Sequence, residues 1–288
     1  MQSFDQLSRY VFEDHHVRGE LVQLRESYQQ IIENHDYPAP IKKVLGELMA
    51  ATSLLTATLK FEGEITVQLQ GNGPVKVAVI NANHQQELRG IARYDQVIQD
   101  DIYSLQELFG QGALVITVTP NQGERYQGVV PLSEPTVAKC LESYFQQSEQ
   151  LKTRLWFAID DEFKSVSGML LQVLPVDKDK AVTDFDHLEI LTDTVKSEEM
   201  LQLPAEELLI RLYHQENPQM FAPQPVRFVC GCSKERCESA LISLGAEELE
   251  HIIDEQEQVD MHCEYCNSSY RFEKEALESL LQQLRQPN

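Results

Sequence analysis

Apolar positions along the chain change period several times, and each change predicts an element. Leu21, Gln23 and their neighbours suggest a first strand, while Glu26 to Glu33 and Ile41 to Thr58 carry helical spacing. The second helix, with Val44, Leu45, Leu48, Met49, Leu54 and Leu55, carries enough apolar surface to belong in a core. Alternation then takes over: Ile65, Val67 and Leu69, then Gly71-Asn72-Gly73-Pro74, then Val75, Val77 and Val79. Two alternating runs around a glycine-rich break predict a hairpin, so Gly71-Asn72-Gly73 reads as a turn and not as a phosphate cradle. Leu114 to Val118, Gly128 to Val130, Leu155 to Ile159 and Met169 to Val173 add strands, with a helix from Thr136 to Gln150. Runs of strands with interspersed helices favour an α+β domain, placed at residues 1–176, over a doubly wound nucleotide-binding sheet.

The stretch 177–226 turns charged and helical. Asp186 with Glu189 fits a capping box opening a helix through Leu188, Leu191, Val195 and Met200. A second helix starts near Pro204, a residue tolerated in a first turn, and carries Leu208, Leu209, Leu212 and Tyr213 up to His214. Short helices are marginal in water unless an apolar face is covered, and the first domain is the expected cover. Leu188, Leu191, Val195, Leu208, Leu209 and Leu212 are therefore the candidate latch or client-binding residues of a metastable helical linker.

Composition narrows the function. The 288 residues are 42% hydrophobic, enough for a substantial domain and a smaller one, and carry a net charge of -22. That charge repels phosphate backbones and anionic membranes, so neither nucleic acid nor a membrane is an expected partner. The start of the chain, Met1-Gln2-Ser3-Phe4-Asp5, leads into polar sequence without an apolar signal core, which predicts a cytoplasmic location. From Arg227 onward six basic residues face thirteen acidic ones, which weakens a nucleic-acid role for the C-terminal region in particular.

That region, 227–288, holds the candidate chemistry. Four cysteines form two close pairs, Cys230-Gly231-Cys232 and Cys263-Glu264-Tyr265-Cys266. Zinc takes four tetrahedral ligands, and one or two intervening residues let both thiolates of a pair reach one ion. In a reducing compartment such pairs more often bind metal or do redox chemistry than form permanent disulfides. Cys237, on a helical face with Leu241 and Leu244 behind an N-cap at Ser233, reads as a core thiol, as does Cys140 beside Val137, Leu141 and Tyr144. His262 points away from the strand face shared by Val259, Met261 and Cys263, and the Asp14-His15-His16 cluster reads as surface. A thioredoxin-type motif needs a helix after the second pair. Here Tyr270 and Phe272 fall at strand spacing, so the pair reads as a knuckle between strands. No phosphate loop, nucleophile elbow or H-E-x-x-H motif accompanies it, and no enzymatic activity is expected.

An oxidant changes such a site sharply. Oxidation within each pair, Cys230 with Cys232 and Cys263 with Cys266, would close only tiny loops and would lose the link that one metal makes between the two ends of the domain. Structural zinc supplies an apparent ~10 to 16 kcal/mol of folding free energy, against a net ~5 to 15 for whole domains. A domain this small should unfold when its metal leaves.

These residues carry a resemblance. Arg227-Phe228-Val229-Cys230-Gly231-Cys232-Ser233, Leu244-Gly245-Ala246-Glu247-Glu248-Leu249 and Met261-His262-Cys263-Glu264-Tyr265-Cys266 are similar to the bacterial 33 kDa redox-regulated heat-shock chaperonin family. Val17-Arg18-Gly19-Glu20 and Leu203-Pro204-Ala205-Glu206-Glu207-Leu208-Leu209 extend the likeness along the chain. The resemblance implies an ATP-independent holdase, inactive when reduced and zinc-bound. It implies Cys230, Cys232, Cys263 and Cys266 as both zinc ligands and redox disulfide partners, with Cys140 and Cys237 in neither role. It further implies joint unfolding of zinc domain and linker, unfolding proteins as clients, ATP-dependent foldases downstream, a reduced monomer and an oxidised homodimer. Two rival readings are a structural zinc-ribbon protein binding nucleic acid or the translation machinery, and a thiol-disulfide oxidoreductase using Cys263 and Cys266.

Overall fold

The computed structural model describes residues 4–58, 62–99, 104–160, 162–174 and 178–285, which fall into two compact units, Met1–Val229 and Cys230–Asn288. The first unit opens with a hairpin, β1 (Gln6–Phe12) and β2 (Val17–Leu24), then helices α1 (Glu26–Ile32) and α2 (Ala39–Thr58). A meander of β3 (Gly63–Gly71), β4 (Val75–Asn83) and β5 (Glu87–Tyr94) follows, then α3 (Leu105–Phe109), β6 (Gly112–Pro120), β7 (Tyr126–Pro131) and α4 (Val137–Tyr144). The hairpin β8 (Thr153–Ile159) and β9 (Val166–Val173) precedes three helices, α5 (Lys178–Thr192), α6 (Ser197–Gln202) and α7 (Ala205–Tyr213). Three two-residue strands end the unit: β10 (Gln219–Met220), β11 (Gln224–Pro225) and β12 (Arg227–Phe228). They form two sheets, one ordered β10-β1-β2-β9-β8 with β11 also on β1, the other β12-β5-β4-β3-β6-β7. All pairings in this unit are antiparallel except β12 on β5. The chain is α+β, as its pattern predicts.

Helix α2 is apolar around much of its circumference because it lies against both sheets, touching β2, β8 and β9 of one and β3, β4 and β5 of the other. Strand β9 is buried along its whole length for a related reason. Its alternate residues serve two cores: Val166 and Leu170 face the α2 core, whereas Met169, Leu171 and Val173 face a second one. The same split runs through β2, with Val22 and Leu24 on one side and Val17 and Leu21 on the other.

The second core is the layer formed by α5, α6 and α7 on the outer face of the first sheet. Phe185, Leu188, Met200, Leu201, Leu208, Leu209, Leu212 and Tyr213 meet Tyr10, Phe12, Val17, Leu21, Met169 and Leu171 there. Polar ties fix the layer. Gln23 Nε2 donates to the carbonyls of Met200 and Leu203 at 2.8 Å each, and Trp156 Nε1 donates to Asp193 Oδ1 at 2.8 Å. Glu216, just beyond α7, holds both His15 at 2.8 Å and His187 at 2.9 Å.

Three expectations need correction here. Helix α5 starts at Lys178, so Asp186 and Glu189 lie within it and not at a cap; they pair with Lys152 and Arg154 instead. That helix also stops at Thr192, and Met200 belongs to the separate α6. His15 is not free surface: Asp184 lies 3.5 Å from its other ring nitrogen. Among the described residues no helix is long and apolar enough to cross a membrane.

The second unit contains α8 (Lys234–Ser243), α9 (Ala246–Glu255), the hairpin β13 (Gln258–His262) and β14 (Ser269–Glu273), and α10 (Lys274–Arg285). Its core is small: Leu241, Leu249, Ile253, Phe272, Leu277, Leu280 and Leu281 are the buried apolar residues, with Cys237 packed at the margin. Ser233 caps α8 by accepting from the Arg236 N–H, as its position predicts. Leu244 departs from expectation, being 50% exposed at the end of α8 where the chain turns through Gly245.

Candidate metal centre

Two backbone devices bring the four cysteines together. The segment before α8 carries Cys230 and Cys232 and is fixed at one end by the Ser233 cap. The tight connection between β13 and β14 carries Cys263 and Cys266; there the Cys263 N–H donates to the Ser268 carbonyl and the Asn267 N–H donates back to the Cys263 carbonyl. Asn267 adopts a left-handed φ of 58°, a conformation asparagine tolerates better than most residues.

All four sulfurs lie within 4.8 Å of one another. Two close separations run across the pairs, 3.4 Å from Cys230 to Cys263 and 3.3 Å from Cys232 to Cys266. A zinc ion with sulfurs at about 2.3 Å requires a tetrahedron with edges of about 3.8 Å, so the donor set fits such a metal in number, element and spacing. Cys237, His262 and Cys140 lie outside the cluster, Cys140 being fully buried between α4 and the first unit's core.

The cysteines differ in their surroundings. Burial pushes the Cys230 and Cys263 thiols up. At Cys266 burial acts the same way, but hydrogen bonds from Ser268 and the neighbouring thiols outweigh it and draw the thiol down to about 6. Four thiolates at this spacing would repel one another unless a divalent ion compensated them. Burial likewise holds Cys140 up to about 11, which makes it an inert core thiol.

Two hydroxyls at the centre escape a reading of spacing alone. Tyr270 Oη lies 3.1 Å from Cys232 Sγ, and Ser268 Oγ lies 3.1 Å from Cys266 Sγ. The strand spacing of Tyr270 and Phe272 is visible in the sequence, but which cysteine the tyrosine reaches depends on how the two cysteine segments dock. The six latch candidates lie in the first unit, all in the outer core: Leu188, Leu208, Leu209 and Leu212 are buried, and Leu191 and Val195 are partly buried against them.

Comparison with known proteins places the chain among relatives along nearly its whole length. Residues 5–273 match a family model described as Hsp33 protein. The 33 kDa chaperonin of Serratia proteamaculans is 56% identical over 275 residues, covering 95% of this chain and 94% of that protein. The 33 kDa chaperonin of Shewanella woodyi is 56% identical over 271 residues, covering 94% and 93%. The crystal structure of the 33 kDa chaperonin of Thermotoga maritima superposes with a TM-score of 0.82 at 23% identity, over 97% of this chain and 98% of that one.

Proposed function

The chain belongs to the Hsp33 family of heat-shock chaperones, and on that premise we propose that it is a redox-regulated, ATP-independent holdase. Cys230, Cys232, Cys263 and Cys266 are its zinc ligands in the reduced, inactive state. The observation that carries this reading is the four-sulfur cluster, which brings the segment before α8 to the β13–β14 hairpin in a unit whose own apolar core is small.

Zinc, when bound, supplies a cross-link between the segment before α8 and the β13–β14 hairpin. The protein's residues do the rest. Oxidation takes the thiolates out of coordination, and local disulfides, Cys230 with Cys232 and Cys263 with Cys266, leave the two segments unconnected. Cross-pair sulfurs also lie close in the assembled site, at 3.4 and 3.3 Å; local pairing therefore rests on chain entropy, since released segments meet their own neighbour far more often than a distant partner. The second unit then unfolds, and the helical layer α5–α7 leaves the first sheet and exposes apolar surface for unfolding clients. The residues of that surface include Leu188, Leu191, Val195, Leu208, Leu209 and Leu212.

The same proposal includes a cytoplasmic location, a monomer when reduced, a homodimer when oxidised, and transfer of clients to ATP-dependent foldases. A net charge of -22 supports the absence of nucleic-acid partners. Light scattering of a thermally unfolding client, without ATP, tests the activity. Peroxide-oxidised protein should suppress aggregation at near-stoichiometric amounts and reduced, zinc-loaded protein should not; equal suppression by both forms would remove redox control.

A further inference from the structure

We propose that Tyr270 is a positioning residue of the redox centre, whose hydroxyl donates a hydrogen bond to the Cys232 sulfur and so restrains that thiolate's attack on oxidants. The inference rests on the four-thiolate reading above and adds a residue to it.

The geometry carries the assignment. Tyr270 sits in β14 opposite Met261 of β13, and its strand neighbour on the same face, Phe272, is fully buried in the unit's core. The ring is itself packed against that core, so the side chain is held and does not sweep through solvent. From there Oη reaches 3.1 Å from Cys232 Sγ, a sulfur 38 positions earlier in the chain and in the other cysteine pair. The hydroxyl therefore bridges the hairpin to the segment before α8 at the side of the centre where Cys232 meets Cys266, 3.3 Å away.

A hydrogen bond to a charged sulfur is stronger than one between neutral groups, and by stabilising the charge on that sulfur it lowers its nucleophilicity. The reaction restrained is oxidation by a hydroperoxide. A thiolate lone pair attacks one peroxide oxygen, the O–O bond breaks, and the departing oxygen leaves as water after taking a proton. The resulting sulfenic acid is attacked at sulfur by the second thiolate of the pair; its S–O bond breaks, and hydroxide leaves as water with a second proton. Two thiolates lose two electrons and one hydrogen peroxide becomes two waters. Cys232 enters this sequence more slowly while it accepts the bond from Tyr270.

Tyr270→Phe keeps the ring and removes the donor. In reduced full-length protein, zinc content is measured by metal analysis, zinc release under hydrogen peroxide by a chromophoric chelator, and the order of cysteine labelling by limiting iodoacetamide with peptide mass spectrometry. Tyr270→Phe should keep its zinc, and its Cys232 should be alkylated about tenfold faster than in the wild type, the effect of losing one charge-assisted hydrogen bond, with zinc release accelerated in step. Unchanged Cys232 labelling in a zinc-loaded variant would overturn the proposal. The wild-type protein gives a second test independent of the variant's folding. Native Cys232 should label more slowly than Cys230, and the difference should vanish in urea; equal native rates would sink the assignment. Absence of zinc from the reduced wild-type protein would instead contradict the four-thiolate reading itself.

Discussion

Replacing Leu208 by alanine should release the helical layer without touching the cysteines. Leu208 is 0% exposed, on α7, in the core shared with Tyr10, Phe12 and Leu171. Truncating a fully buried leucine costs roughly 2 to 5 kcal/mol, because transfer free energy is lost and a cavity remains. At about 3 kcal/mol, and 1.4 kcal/mol per factor of ten, the opened layer should gain on the order of 100-fold in population. The same helix provides the control: Ile210 is 58% exposed, and Ile210→Ala should stay within about 0.5 kcal/mol of the wild type. Hydrogen exchange read by mass spectrometry, on reduced zinc-loaded protein, separates the two. Amides of 184–192 and 205–213 should exchange on the order of 100-fold faster in Leu208→Ala, while α2 and β3 keep wild-type protection, and the variant should hold part of a client load while still reduced. If Leu208→Ala exchanges like Ile210→Ala, the layer is not held by this core and the latch lies elsewhere. Leu208→Glu, which adds a buried carboxylate, should loosen the layer further, and its linker should fall to protease more readily than that of Leu208→Ala.

Cys263→Ser should lose zinc by metal analysis, whereas Cys140→Ser and Cys237→Ser should retain it; full retention in Cys263→Ser would remove the site. Peptide mapping after mild oxidation should recover the two local disulfides, and a dominant link between the pairs would contradict the unfolding of the second unit. Glu20 supplies a pH test within the first unit: it is fully buried on β2, and burial, only partly offset by Arg18 and Arg9, raises its carboxyl to about 7. A carboxyl raised on folding lends stability that is fully present below its unfolded value near 4.5 and is lost as pH rises through about 7. Glu20→Gln should therefore gain over the wild type by about 3 kcal/mol in urea denaturation at pH 8, and that advantage should shrink steadily toward pH 5; a pH-independent difference would show that Glu20 is not neutral in the folded state.

Much of this architecture is readable from residue types because the physics involved is local. The cysteine spacing lets four sulfurs converge, as they do within 4.8 Å, the glycine-rich break at 71–74 separates β3 from β4, and the apolar run Met169-Leu170-Leu171 falls in strand β9. What eludes the sequence depends on distant partners. Strand β1 is disguised because Ser8 and Arg9 interrupt its apolar run, and only pairing with β2 on one side and the short β10 and β11 on the other makes it an inner strand. The start of α5 at Lys178 is hidden by a better capping pair at Asp186 and Glu189, whose carboxylates are taken by Lys152 and Arg154 of the β8 hairpin. His15 looks like a surface residue until Asp184 and Glu216 come within reach from α5 and beyond α7. Tyr270 is of the same kind: its strand is legible, and the sulfur it touches is not.

The central claim is that oxidation of four thiols in the second unit frees a helical layer in the first, and one experiment reads both ends. Reduced, zinc-loaded protein is oxidised with hydrogen peroxide at elevated temperature, and zinc release, client holding and amide exchange are followed on the same sample. As zinc leaves and holding appears, protection should collapse across 230–285 and across 184–213, while α2 and β3 through β6 remain protected. A sample that has released its zinc and holds client while 184–213 keep their reduced-state protection would contradict the account.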